Sequence, residues 1–399
     1  MCVAVFQFGF TVFFCLEMAA GRSLAAARRA LRTADTAGLV PCLCCHSNHS
    51  SSTAATARAT HLDPLGGGAL PLLSDAEGAR IPEALERFRP IDAHTHLFPP
   101  RLQLALLHWF REHAWPCRHE ELLTAACGGA AAAGREEVIG ISRFLLDRGL
   151  THLVVLLYAH RPGMAADLNA WLAAAVAGEG ARITALATAF PGEAGNRDML
   201  RTAFTEHGLK GVKLHTHVQA TAADDRAYDE IYEVCADFDL PVIIHAGREP
   251  NSAGYPVSSY ELCSAERLER VLRRFPGLRL CVPHMGADEF EAYADLMATS
   301  RFERSLWLDT TMVLGTMKDE YWAGMAQHEA LVRQVCASFP HRVMYGTDWP
   351  MIPYAWDREL KQLQEWALPD DAMARILRLT AVDFYGIHDG GNAAHEGES

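Results

Sequence analysis

The sequence predicts a closed (β/α)8 TIM barrel preceded by a long extension, and three observations carry that prediction. From position 91 onward, short apolar runs of four to seven residues alternate with amphipathic helical stretches. These runs are rich in Val, Ile and Leu throughout rather than at every second position, as strands buried on both faces must be. Eight such units follow one another within roughly 300 residues, a span that suits one barrel. Strand alternating with helix implies right-handed crossovers and a parallel sheet. A doubly wound open sheet is the rival architecture, but no G-x-G-x-x-G turn follows the first strand.

In chain order, the extension comes first. Met1 to Leu16 is apolar, yet Gln7 and Gly9 interrupt it and no basic residue precedes it, which makes a poor secretory signal. Residues 18–60 carry Arg22, Arg28, Arg29 and Arg32 among many alanines and serines and few acids. That composition fits an organelle transit peptide, or upstream sequence translated ahead of a later start at Met18. Cys42, Cys44, Cys45, His46 and His49 are zinc-ligand types, but no second spaced pair follows, so an incidental cluster is preferred. Residues 65–76, with Gly66 to Gly68 and Pro71 and with Pro64 just before them, read as a linker. Residues 1–80 are thus expected to be a disordered extension, 81–387 the barrel, and 388–399 a disordered tail.

The strands are expected at Ile91–His96, His152–Tyr158, Ile183–Ala189, Gly211–His215, Val242–His245, Leu278–His284, Leu306–Thr310 and Val343–Asp348. Helical patterns fill the gaps, among them Arg135–Arg148, Ala165–Ala177, Arg226–Phe238, Ser264–Phe275, Asp288–Met297 and Glu329–Phe339. The segment from residue 97 to 134 is too long for a simple connection and is expected to be a cap or binding element on the catalytic rim. Segments 246–263 and 311–328 are also long and belong to the same rim.

Composition bounds the function. The chain has 399 residues, 50% hydrophobic and 21% charged, which excludes a disordered tail protein. Acids outnumber bases by 49 to 36, a net charge of −13, which disfavours nucleic acid and anionic membranes as partners. No apolar run reaches the roughly 18–20 residues of a spanning helix. Eleven irregularly spaced cysteines suggest reduced thiols and a cytoplasmic setting, with the extension leaving an organelle or export signal open.

Chemistry concentrates where it should in such a barrel, at the C-terminal strand ends. His94 and His96 close the first strand, His245 the fifth, His284 the sixth and Asp348 the eighth, with Lys213 and His215 on the fourth. Two-residue alternation puts His94 and His96 on one side and Ala93 and Thr95 on the other. Imidazoles and a carboxylate converging on one mouth make a first-row divalent metal site, with His94, His96, His245 and Asp348 as ligands. A metal there generates hydroxide near neutral pH. Asp348 takes the proton, and His284, just outside the ligand set, orients water or donates to the leaving group. A lone strand-end histidine is more often structural, and His152, His160 and His217 are read that way. Arg248 and Arg161 could clamp a substrate carboxylate; Trp109, Tyr255, Trp349 and Tyr354 could line a pocket wall.

The motifs Ile91-Asp92-Ala93-His94-Thr95-His96, Gly211-Val212-Lys213-Leu214-His215, Pro241 to Gly247, His284-Met285-Gly286 and Tyr345 to Pro350 resemble, in order, those of the amidohydrolase superfamily, in its amidohydrolase-related subgroup. The closing segment from Ile376 to Ile387 is similar to that family's last helix, with Thr380 where asparagine is usual. The resemblance covers roughly residues 90–387. It implies metal ligands His94, His96, His245 and Asp348 and a catalytic His284. It also implies one divalent ion, zinc first, with manganese, iron or nickel compatible, and dimers as a common assembly. Some superfamily members carry a carbamylated lysine that bridges two metals; here Lys213 is read as an electrostatic partner of metal or substrate. The leading expectation is a metal-dependent hydrolase in which metal-bound hydroxide attacks an ester, lactone or amide carbonyl. The alternative is a non-oxidative decarboxylase of an aromatic or unsaturated acid. Either acts on a small molecule, carboxylate-bearing in the second case; a barrel that only binds a ligand ranks last.

Overall fold

The computed structural model describes residues 2–7, 10–15, 80–113, 117–127, 135–248, 255, 257–316 and 328–388. The Cys42–His49 cluster, the 65–76 linker and all of the expected tail except Ile387's neighbour His388 lie outside these residues. Near the N-terminus, β1 (Cys2–Gln7) pairs antiparallel with β2 (Phe10–Cys15), from Cys2 opposite Cys15 to Gln7 opposite Phe10.

The larger unit holds the barrel. Its strands are β3 (Ile91–His96), β4 (His152–Leu156), β5 (Ile183–Ala185), β6 (Ala187–Thr188), β7 (Val212–His215), β8 (Val242–His245), β9 (Leu280–Val282), β10 (Leu306–Asp309) and β11 (Val343–Met344). β5 and β6 flank Leu186 in one extended stretch, β5 pairing with β4 and β6 with β7. All pairings from β3 to β5 and from β6 to β11 are parallel. The ring closes across the first and last strands. Ala93 donates to the Tyr345 carbonyl (3.0 Å), Asp348 to the His94 carbonyl (2.9 Å) and His96 to the Trp349 carbonyl (2.6 Å). All eight expected strands are present.

The helices follow the apolar periodicity closely, as at Arg135–Leu146, Ala165–Val176, Ala265–Arg274 and Glu329–Ser338. Ser264 caps the third of these, its side chain accepting from the Arg267 amide. The expected insertion after β3 contains two helices, Pro100–Glu112 and Glu120–Cys127. They pack against the segment that follows β11: Arg118 N donates to Ile352 O, and the His119 ring lies 4.3 Å from Trp349. No helix among the described residues is long and apolar enough to cross a membrane.

Inside the barrel, Ile91, Ala93, Val154, Leu156, Leu186, Ile243, Cys281 and Met344 form a separate apolar cluster. The C-terminal helix Thr380–Tyr385 closes its lower end with Phe384 and Tyr385. Ala93 therefore lines the interior, contrary to the alternation expected for β3. The β3–β4 register shifts between Asp92 and Thr95. Such an irregularity inserts a residue and re-aims the side chains beyond it, so Ala93, His94 and His96 all face inward.

Phe384 is 1% exposed and packs on both Trp307 and Tyr385. Phe384→Ala is expected to lower unfolding free energy by about 3–5 kcal/mol, read from urea denaturation; a loss below about 1 kcal/mol would mean that this plug does not support the barrel.

Candidate metal centre

His94 is the hub of the mouth. Its Nδ1 lies 2.8 Å from Asp309 Oδ2, both residues being buried. A carboxylate accepts, so Nδ1 carries the proton and Nε2 carries a lone pair. Around that Nε2 stand Lys213 Nζ at 3.2 Å, Asp348 Oδ1 at 3.2 Å and His96 Nε2 at 3.3 Å. His96 Nε2 also lies 3.0 Å from Asp348 Oδ1. The His94 Nε2 and Asp348 Oδ1 acceptors thus face each other with their lone pairs, an arrangement that a cation between them would make favourable.

Local backbone explains how these side chains reach the mouth. The shifted register of β3 turns His94 and His96 inward. Asp348 takes left-handed backbone, φ 66°, and His284 does so at φ 56°; such strained positions gather at functional sites. Gly346 passes so close to the first strand that a Cβ would meet Thr311 Cγ2 at 2.7 Å and His94 Cβ at 3.0 Å. Asp92, fully buried, accepts from Thr347 Oγ1 (2.6 Å), Thr347 N and His94 N, tying the two strands together beside their ligand types.

Burial, followed by the Lys213 charge, pushes the His94 imidazole well below its ordinary range. Burial also lowers His96, against the opposing pull of Asp348. For Asp348, burial acts upward, but the His96 hydrogen bond and the neighbouring His96, His94 and His284 rings outweigh it and hold the carboxyl below the usual carboxylate range. Neutral imidazoles beside an ionised carboxylate are the states in which such groups bind cations.

The expected residues separate into two groups. His94, His96 and Asp348 bring candidate ligand atoms within 4.8 Å of one another. His245 instead joins His215 and His217 in a second group of the same kind. His284 stands between the groups, its Nε2 3.2 Å from His245 Nδ1 and its ring 6.0 Å from that of His94. Lys213 is buried within the barrel. Arg248 follows β8 on the rim, 3.4 Å from Glu289 and over the Tyr260 ring.

The family profile described as amidohydrolase matches residues 91–387. The chain belongs to the amidohydrolase family of enzymes. No curated protein matches it significantly. In fold, this amidohydrolase is similar to a 5-carboxyvanillate decarboxylase from Sphingomonas paucimobilis, with TM-score 0.51 and 17% identity, covering 75% of this chain and 100% of that one. It is also similar to a TIM-barrel protein from Bordetella bronchiseptica, with TM-score 0.50 and 20% identity over 74% and 98% of the two chains. A 5-carboxyvanillate decarboxylase from Novosphingobium aromaticivorans, complexed with manganese and 4-hydroxy-3-methoxy-5-nitrobenzoic acid, gives TM-score 0.50 at 16% identity over 78% and 100%.

Asp309 is the residue of this amidohydrolase that sequence reading missed. Its Oδ2 holds His94, while its Oδ1 accepts from His284 N (3.0 Å), Thr311 N (3.2 Å) and Thr311 Oγ1 (2.5 Å). Thr311 in turn lies 2.9 Å from His284 Nδ1 through its hydroxyl and 3.1 Å through its carbonyl. One carboxylate therefore orients two histidines. The available signal was its place at the end of the seventh barrel strand. Asp309→Ala leaves several buried donors without this acceptor and is expected to destabilise the fold by about 2–4 kcal/mol, with Asp309→Asn milder. Equal denaturation midpoints for wild type and Asp309→Ala would remove the anchoring role.

Proposed function

We propose that this amidohydrolase is a metal-dependent hydrolase acting on an ester, lactone or amide carbonyl. The observation that carries the reading is the 3.2 Å approach of His94 Nε2 to Asp348 Oδ1, with Asp309 fixing the His94 tautomer. The nitrogen and oxygen donors suit zinc, manganese, iron or nickel. His94, His96 and Asp348 would hold the ion and leave positions open, as catalytic sites do; His245, at the end of β8, is the strand-end candidate for a fourth ligand. When bound, a divalent ion polarises a carbonyl and brings the pKa of water toward neutrality.

The chain's own residues supply the rest. Asp348 turns Oδ1 toward His94 and His96, so its second oxygen can take the proton of the attacking water. His284 has Nδ1–H directed at the Thr311 carbonyl and presents Nε2 to the mouth side, where it can hold or pass a proton to the leaving group. The Lys213 ammonium offers positive charge to an oxyanion or a substrate carboxylate. Arg248 is the outer candidate for a substrate carboxylate, in exchange with Glu289.

One observation favours a second reading. Two of the fold neighbours are decarboxylases of 5-carboxyvanillate, one of them complexed with manganese. The same residues would then hold an aromatic acid and protonate its ring carbon as carbon dioxide leaves. A panel of lactones and esters against carboxylated phenols separates the readings; carbon dioxide release with no hydrolysis of any panel member would replace the hydrolase with the lyase.

Purified full-length protein is expected to carry a divalent ion that elemental analysis finds lost in His94→Ala. Retention of wild-type metal content by that variant would refute this ligand set. Asp348→Asn should lower kcat by about a thousandfold or more, and wild-type turnover would exclude Asp348 from proton transfer.

A further inference from the structure

Six side-chain rings form a closed circle around the barrel mouth. His94 lies 5.1 Å from His96, His96 5.7 Å from Tyr158, and Tyr158 4.8 Å from His215. His215 stacks on His245 at 4.1 Å, His245 stands 4.7 Å from His284, and His284 6.0 Å from His94. Four of the five histidines have a ring nitrogen engaged: His94 with Asp309, His96 with Asp348, His245 with His284, and His284 with Thr311 as well. His215 differs. It is 7% exposed, and its Nδ1 is buried with no hydrogen-bond partner among the described residues.

We propose that His215 is a substrate-binding residue, hydrogen-bonding an uncharged oxygen, hydroxyl or carbonyl, that the substrate carries beside its metal-held group. This role rests on the metal-dependent reading of the mouth, and it leaves His245 with the ion of His94, His96 and Asp348. A buried polar atom without a partner is uncommon and calls for an occupant. Packing alone does not account for a histidine here. A phenyl ring would stack on His245 and meet the edge of Tyr158 as well, with no nitrogen to desolvate.

Placement and support agree with that role. Parallel pairing sets His215 directly opposite His245 at the ends of adjacent strands, so its ring stands on the same rim as a candidate ligand. In the order of the circle it faces His94 across the mouth. Its backbone is firmly held: His215 N donates to Gln219 Oε1 (3.2 Å), to which the Tyr228 hydroxyl also donates (2.9 Å). Gln219 Nε2 in turn donates to the carbonyls of Ala159 (3.1 Å) and Ala189 (2.8 Å). The main chain is thus anchored to two earlier strand ends while the ring keeps polar capacity unused, the kind of rigid support a binding residue needs. Burial, then the neighbouring His245 and His217, hold the His215 ring well below its ordinary range. A neutral imidazole offers one N–H and one lone pair, which suit a hydroxyl or carbonyl and give a carboxylate no charge to pair with. A site that hydrogen-bonds such an oxygen discriminates against analogues lacking it.

The test compares full-length, metal-loaded wild type with His215→Phe, which keeps the stacked ring and removes its nitrogens, and with His215→Gln, which restores an amide donor and acceptor. Metal content is read by elemental analysis, folding by circular dichroism and thermal midpoint, and binding by calorimetry with acetohydroxamate. That probe carries a carbonyl, a hydroxamate oxygen and an N–H in one small molecule, enough to hold an ion and meet a neighbouring imidazole. Metal content is expected to be unchanged in both variants. His215→Phe should melt at or above the wild-type midpoint, because it removes a buried atom that has no partner. Its affinity for acetohydroxamate should fall about tenfold, and His215→Gln should recover to within about threefold of wild type. His215→Leu takes the place of an insoluble His215→Phe. Wild-type affinity in His215→Phe, an equal loss in His215→Gln, or loss of the ion from His215→Phe overturns the proposal alone. So does a midpoint lowered by about 5 °C or more in both His215→Phe and His215→Leu, which would make the nitrogens structural. A wild type that holds no ion, or whose ion takes no hydroxamate, removes the metal-dependent reading and this proposal with it.

Discussion

The seam between the first and last barrel strands is the constraint on which the rest depends. Three backbone hydrogen bonds join residues 93–96 to residues 345–349. They close the sheet, and they also fix Asp348 against the paired histidines. Parallel pairing makes this economical, because residues at the ends of adjacent parallel strands emerge on the same rim. Asp92 reinforces the seam from its buried side by accepting from both the backbone and the hydroxyl of Thr347. Fold closure and ligand convergence are therefore the same event.

A second constraint is the register shift within β3. Without it, strict alternation would place Ala93 and His94 on opposite faces. With it, the interior keeps its apolar layer of Ile91 and Ala93 below and gains His94 and His96 above. The apolar layer is sealed from beneath by Phe384 and Tyr385, and Tyr385 donates its hydroxyl to the Ala93 carbonyl at 3.0 Å. The barrel is thus dry at one end and crowded with titratable groups at the other. In that setting unpaired polar atoms are costly, which gives Asp309, Thr311 and Gln219 their structural weight.

The histidines show how much of the site was legible. His94, His96, His245, His284 and Asp348 could be picked out because each ends an apolar run, and strand ends on one rim of a barrel meet. Thr380, unusual in its position, proves to donate its hydroxyl to the Pro340 carbonyl at 2.8 Å. His217, read as structural, lies in a three-histidine group because the short helix Thr216–Gln219 folds back over β8. Asp309 offered only its place at the end of the seventh barrel strand, and a carboxylate after an apolar run reads equally well as a solvated strand end.

The sequence by itself determined the alternation of strand and helix, the parallel barrel and the ligand chemistry on its rim, because burial of continuous apolar runs is a local property written in composition and period. Only the tertiary structure decided which ligand types meet. His96 and Asp348, 252 positions apart, touch because the barrel closes; His215 and His245 stack at 4.1 Å because parallel pairing sets them opposite each other on adjacent strands. Such choices depend on distances between strands and on proton positions fixed by partners such as Asp309, and neither is carried by residue order along the chain.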